Sequence, residues 1–118
     1  MFIDQIREYC ISKSYVTESF PFNDNALVFK VHTKMFALLN LGNSPYINLK
    51  CDPIRALELR ELHPCISPGY HMNKVHWNTI DLQNSLPDSI LKELIDHSYT
   101  LVFESFSKKI QNQLQKPY

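Results

Sequence analysis

Two histidines, two asparagines, one lysine, one tyrosine and the chain's only tryptophan fall within PGYHMNKVHWNTI, the stretch from Pro68 to Ile80. Each residue type has a chemistry. Imidazoles ligate metals, a lysine positions phosphate, an asparagine can read an adenine edge, and aromatic rings stack on unpaired bases or anchor a protein interface. A metal site would draw on His71 and His76, with Cys65 nearby. Five residues of separation put two side chains on opposite faces of a strand and far apart on a helix, so only a turn between them could bring the rings together. An iron site of oxygen ligands needs a ridge of carboxylates, and the first helical segment offers only Asp4 and Glu8. Asp96-His97-Ser98 has the letters of a hydrolase triad, but consecutive helix positions diverge by about a hundred degrees and cannot converge on one another. Ser98 reads instead as a small packing residue and His97 as part of a polar flank. With Gly42 and Gly69 as the only glycines, neither a P-loop nor a GxGxxG fingerprint can form. The expectation is a non-enzymatic chain with no catalytic residues, no cofactor and no metal.

Each residue of the stretch also has a structural use. Trp77 can fill the core beneath a hairpin, Asn73 and Asn78 can hold a turn through side-chain-to-backbone bonds, and His71 can satisfy a buried carbonyl. Both readings stay open on the sequence.

The elements that must position these groups follow from composition and periodicity. A chain of 118 residues with 44% apolar and 20% charged content reads as one soluble domain that buries roughly two-thirds of its unfolded surface without a staple. The opening Met1-Phe2-Ile3-Asp4-Gln5 lacks a signal-peptide apolar region, and no run is long enough to cross a bilayer. Cys10, Cys51 and Cys65, without a CxxC, suit reduced, buried thiols in a cytoplasm, and a monomer is assumed.

Twelve basic and twelve acidic side chains cancel, which is not the net basic balance of most nucleic-acid binders. The distribution is less even. Between Asn25 and Ile80 lie Lys30, Lys34, Lys50, Arg55, Arg60 and Lys74 against Asp52, Glu58 and Glu61. Were they gathered in space, they would make one positive face.

Phe2, Ile3, Ile6, Tyr9 and Cys10 recur at helical spacing, predicting a helix near residues 2–13. Phe20-Pro21-Phe22 breaks the pattern. ALVFKV (Ala26 to Val31) and MFALLN (Met35 to Asn40) read as strands of a hairpin turning at His32-Thr33-Lys34, with Phe29, Phe36 and Leu38 in the core. After a turn through Leu41 to Pro45, YINLK alternates cleanly: Ile47 and Leu49 on one face, Tyr46, Asn48 and Lys50 on the other. Asp52 is a good N-cap with Pro53 in the first helical position, and Pro64 closes that helix. The opening stretch then reads as two short strands around a turn near Asn73-Lys74. A long helix spans residues 85–110, with Ser85 and Asp88 as a capping box, an apolar stripe of Leu91, Leu94, Ile95, Leu101, Val102 and Phe106, and Lys108 and Lys109 at its negative end. The predicted fold is α+β, in the order α-β-β-β-α-β-β-α, an antiparallel sheet with helices packed on one face. Residues 1–110 form the domain and 111–118 a polar tail.

In sequence order, FPF, LVFKV, KMFALL, INLKCDPIRALELRE, PGYHMNKVHWNTI and LPDSILKELIDHSYTLV resemble the MmcQ/YjbR family of small bacterial proteins, from about Thr17 to Phe106. The resemblance implies a fold similar to the bacterial frataxin homologue (CyaY-like), with hairpins described as a double wing. It also implies DNA binding, a label that rests on architecture. Family members often carry glycine in the first hairpin turn, where this chain has Thr33.

The resulting expectation is a binding protein with DNA as the leading ligand. Phosphate contacts fall to Lys34, Lys50, Arg55 and Lys74, and base or sugar contacts to Tyr70, His71, Asn73, His76, Trp77 and Asn78. The alternative is a protein-interaction module on the same polar-aromatic surface.

Overall fold

The computed structural model describes residues 1–83 and 86–116. The chain runs α1 (Ile3–Ile11), β1 (Val16–Ser19), β2 (Ala26–Val31), β3 (Lys34–Asn40), β4 (Tyr46–Lys50), α2 (Pro53–Leu62), β5 (Ile66–Pro68), β6 (Trp77–Asp81), α3 (Asp88–Glu104) and α4 (Lys108–Gln115). All strand pairs are antiparallel, in one sheet of order β1-β2-β3-β4-β6-β5. The α+β class and the one-sided helix layer hold.

Three features depart from the predicted elements. The four residues of β1 form an edge strand paired to β2, too short for alternation to announce it. The long helix breaks at residues 105–107: Ser107 caps α4 by accepting the Ile110 N–H (3.3 Å). Lys108 and Lys109 thus begin α4 rather than ending α3. Gln111, placed by sequence in a polar tail, is buried and donates to the carbonyls of Glu104 and Phe106. The capping box expected at Ser85 lies outside the described residues.

Register fixes the two faces of the sheet. Leu27, Phe29, Leu39, Ile47, Leu49, Ile66 and Ile80 point toward the helices and pack with Ile6, Cys10, Ala56, Leu59, Leu94, Ile95 and Val102. Tyr46, Asn48 and Lys50 face the other way, as the alternation predicts. Between Phe29 and Lys30 the β2–β3 register slips, so Phe36 is an extra residue in β3. That bulge sends both Phe36 and Ala37 into the helix-side core and reverses the alternation from Ala37 onward, while Met35, opposite Phe36, lies on the open face beside Lys30. Leu38 is buried, as expected of a core residue, but in a second, smaller cluster with Ala26 and Val28 on the open face.

The hairpin turn lacking glycine is accommodated one residue earlier. His32 takes the left-handed conformation (φ 55°) and Thr33 does not, so the β-branched residue escapes strain. Asp52 caps α2 as expected, its carboxylate accepting the Arg55 N–H (3.1 Å), with Pro53 at the first position.

Candidate functional site

The open face holds a cleft of about 340 Å³. Its floor is Ala26 from β2, Met35, Leu38 and Asn40 from β3, and Tyr46 and Asn48 from β4. One wall is Phe22 with Asn23, from the loop after β1. The other is Tyr70, His71 and Met72, from the loop between β5 and β6. No Asp, Glu, Lys or Arg lines it.

Each wall is held by identifiable bonds. Asn23 Oδ1 accepts the backbone N–H of Asn25 (2.9 Å) and Ala26 (3.0 Å), turning the chain into β2 and leaving Phe22 70% exposed at the rim. On the opposite side Asn48, 1% exposed, donates from Nδ2 to the Tyr70 carbonyl (3.1 Å). Its Oδ1 accepts from the Thr79 hydroxyl (2.5 Å), whose oxygen accepts the Tyr70 N–H (2.8 Å). This closed ring of bonds ties the Tyr70 backbone to the sheet while its side chain stays half-exposed. The Tyr70 ring meets Tyr46 edge-on (6.0 Å) and lies 3.9 Å from His71, which adopts the left-handed conformation (φ 59°). Burial, and then the neighbouring Tyr70, push the Tyr46 phenol up, so it remains an O–H.

The residues of the opening stretch divide between folding the loop and facing the cleft. Asn73 Oδ1 accepts from the N–H of Val75 (2.9 Å) and His76 (3.3 Å). Lys74 Nζ donates to the Gly69 carbonyl (2.9 Å) across the same loop. The His76 carbonyl accepts the Cys51 N–H (2.8 Å), leaving its ring exposed. Trp77 is 9% exposed, and its carbonyl takes the Gly69 N–H (2.8 Å). Only Tyr70 and His71, with Met72, reach the cleft.

The expected contact set is not one surface. Asn78 is buried toward the helices, accepting from Arg60 Nε (2.7 Å) and donating to the Ala56 carbonyl (3.3 Å). Arg60 reaches on to the carbonyls of Lys74 and Trp77, so it clamps the loop rather than facing solvent. Arg55 is paired with Glu93 (2.9 Å), and Lys34 donates to Ser105 (3.0 Å) with its ammonium over the Phe106 ring. These three belong to the helix side, because strand parity and α2 place them there. Of the basic residues in the middle of the chain, Lys30 and Lys50 are on the open face, each two positions along its strand from Val28 and Asn48. Asp96, His97 and Ser98 indeed diverge: Asp96 binds Tyr9 and Lys13, His97 Nε2 accepts the Asp52 N–H (3.1 Å), and Ser98 does more than pack. It donates to the Phe36 carbonyl (2.6 Å) and accepts the Lys50 N–H (2.9 Å), pinning α3 across β3 and β4.

No group of three or more His, Cys, Asp or Glu that could hold a metal occurs among the described residues. No described helix is long and apolar enough to cross a membrane. The sequence reading missed Phe22, Met35 and Met72 as site residues. FPF, two aromatics around a proline in a loop, was the available signal for Phe22, and alternation next to the core residue Phe36 was the signal for Met35.

Known proteins share this architecture. The YjbR family model matches residues 11–101. The uncharacterised protein YbdF of Escherichia coli O157:H7 is 36% identical over 102 residues, 86% of this chain and 84% of its own. The uncharacterised protein YjbR of Escherichia coli K12 is 37% identical over 84% of this chain and 85% of its own. The crystal structure of Deinococcus radiodurans DR2400, a DUF419 domain, superposes with a TM-score of 0.90 at 40% identity, over 98% of this chain and 88% of its own. A Pseudomonas syringae protein gives a TM-score of 0.76 at 29% identity, over 86% and 99%. By sequence and by fold, the chain belongs to the YjbR family.

Proposed function

We propose that this protein is a non-enzymatic binding module that works through the open face of its sheet, with a partner protein seating an aromatic side chain in the cleft. The observation that carries this reading is the cleft itself: an apolar floor, ring and thioether walls, and no formally charged lining. Its volume of about 340 Å³ is at the small end of ligand sites, suited to one anchoring group. Methionine walls adapt in shape to such anchors, and aromatic walls give them large contact faces. The dispersal of Lys34 and Arg55 into the helix layer argues against a continuous phosphate-binding track of the kind duplex DNA requires.

A second reading has one observation in its favour. Lys30 and Lys50 share the open face with Tyr46 and Tyr70, and a sheet bearing rings and cations can stack unpaired bases. The two readings separate by salt. Random peptides displayed on phage are selected on the protein, and recovered peptides are titrated alongside labelled single- and double-stranded oligonucleotides. The expected result is peptides sharing an aromatic anchor, binding with little salt dependence, and weakened at least about tenfold by Ala26→Trp, which fills the cleft, and by Tyr70→Ala. Oligonucleotide binding that falls steeply with salt and is lost in Lys50→Glu, with no cleft-dependent peptide recovered, would replace the protein partner with nucleic acid.

A further inference from the structure

On the reading just given, we infer that the group entering the cleft is a ring carrying its own hydrogen-bond donor, a tryptophan or tyrosine side chain, and not an aliphatic or charged one. Asn40 and Tyr46 are direct cross-strand partners on the open face. They put two polar groups side by side at one end of an otherwise apolar floor. The Asn40 amide orientation is set by Nδ2 donating to the Ser44 carbonyl (3.3 Å), which leaves Oδ1 as the acceptor without a partner among the described residues. The Tyr46 hydroxyl and the His71 ring also have no hydrogen-bond partner among the described residues. Among the described residues no buried side-chain polar atom goes unsatisfied, so these groups are open to solvent while the cleft is empty.

Any occupant removes that solvent. A leucine or phenylalanine covers the Asn40 acceptor and offers nothing in return, which is the expensive way to desolvate a polar group. An indole N–H or phenol O–H replaces the lost bond, while the ring body covers Leu38, Ala26 and Met35. A carboxylate or ammonium meets no opposite charge in the lining and loses its own hydration.

Five labelled, end-blocked peptides, identical except for a central Trp, Tyr, Phe, Leu or Glu, test this by fluorescence anisotropy. The expected order is Trp and Tyr about tenfold tighter than Phe or Leu, with Glu weakest. In Asn40→Leu, checked for an unchanged melting curve, that advantage collapses, because the Phe and Leu peptides no longer bury an unpaired acceptor and bind more tightly than to the unsubstituted protein. The unsubstituted protein gives a second readout: the Asn40 side-chain carbonyl carbon keeps its hydrogen-bonded NMR position with the Trp peptide and moves upfield with the Leu peptide, which strips its water and returns no donor. If Phe or Leu binds as tightly as Trp in a cleft-dependent way, the donor requirement is wrong while the open-face reading stands. If no peptide binds, or an oligonucleotide displaces the Trp peptide, the protein-partner reading fails and this inference with it.

Discussion

Asn48→Ala removes the side chain that fastens the Tyr70 wall to the sheet, and its cost can be worked from the bonds it breaks. Two hydrogen bonds go: Nδ2–H to the Tyr70 carbonyl (3.1 Å) and the Thr79 hydroxyl to Oδ1 (2.5 Å). At about 1 kcal/mol each, these give roughly 2 kcal/mol. Thr79 is 8% exposed, so its hydroxyl proton is left without an acceptor and with little water, adding on the order of 1 kcal/mol. The vacated volume adds something similar where the wall cannot settle. The bond to the Tyr70 carbonyl is only part-buried, and water entering the space left by the amide can rehydrate that oxygen, which trims the sum. The expected destabilisation is about 2–4 kcal/mol. Urea unfolding followed by Trp77 emission reports it directly, since Trp77 is the only tryptophan and sits at the base of the same loop. Thr79→Val breaks the same ring from the other side, so a double-mutant cycle between the two should show coupling of about 1 kcal/mol. A loss below about 0.5 kcal/mol, or strict additivity, would refute the claim that this ring holds the wall.

Gly69→Ala should destabilise by about 1–3 kcal/mol, because an added Cβ would stand 2.7 Å from Trp77 Cβ and 2.9 Å from its carbonyl oxygen, neither of which can swing aside. Gly42→Ala is the control, since its nearest neighbour is the flexible Asn40 amide at 3.5 Å, and its midpoint in urea should barely move. For pH, burial chiefly, and then Arg55, lower the pKa of His97, against smaller opposing effects of Asp52 and Glu93. Its Nε2 accepts the Asp52 N–H (3.1 Å) only when unprotonated. The folded chain therefore binds that proton less readily than the unfolded one. The stability His97 contributes is complete above the unfolded value of about 6.5 and is lost as pH falls below it. Unfolding midpoints taken from about pH 7.5 down to about pH 5.5 should decline, and His97→Gln should flatten part of that slope. An unchanged slope would mean that the His97 bond to α2 contributes nothing.

What the sequence disclosed followed the reach of its local rules. The face of β4 was legible because YINLK alternates without interruption, and the start of α2 because Asp52 and Pro53 each carry a position-specific reason. The break between α3 and α4 was hidden because a serine ended the run without a glycine or proline; Ser107 acts through its capping hydroxyl, which is ordinary composition until the geometry is known. The edge strand β1 was hidden because four residues cannot establish a period. The bulge at Phe36 was the most consequential omission. It makes two consecutive residues, Phe36 and Ala37, face the helices, so that Leu38 falls on the open face with Met35 while Phe36 stays in the helix-side core. Pairing register is a property of two strands, and neither strand carries it alone.

The crowding of polar and aromatic residues in PGYHMNKVHWNTI now has a physical cause. A loop of this length between a three-residue strand and its partner cannot satisfy its own backbone through a ladder, so side chains must do it. Asn73 and Lys74 bond it from within, and Asn78, through Arg60, anchors it to α2. Asn48 and Thr79 fix its leading end to the sheet. That rigid support is what allows Tyr70 to stay half-exposed and His71 to hold a left-handed backbone without the loop relaxing toward the apolar floor. Val28 and Leu38 are already buried, with Met35 and Tyr46 packed against them, and Phe22 and Tyr70, both more than half exposed, line the cleft beside them. The polar residues of the stretch are thus chiefly the scaffold and the aromatic ones its working edge, which is why changes at Asn48 or Gly69 should weaken cleft binding without touching a ligand.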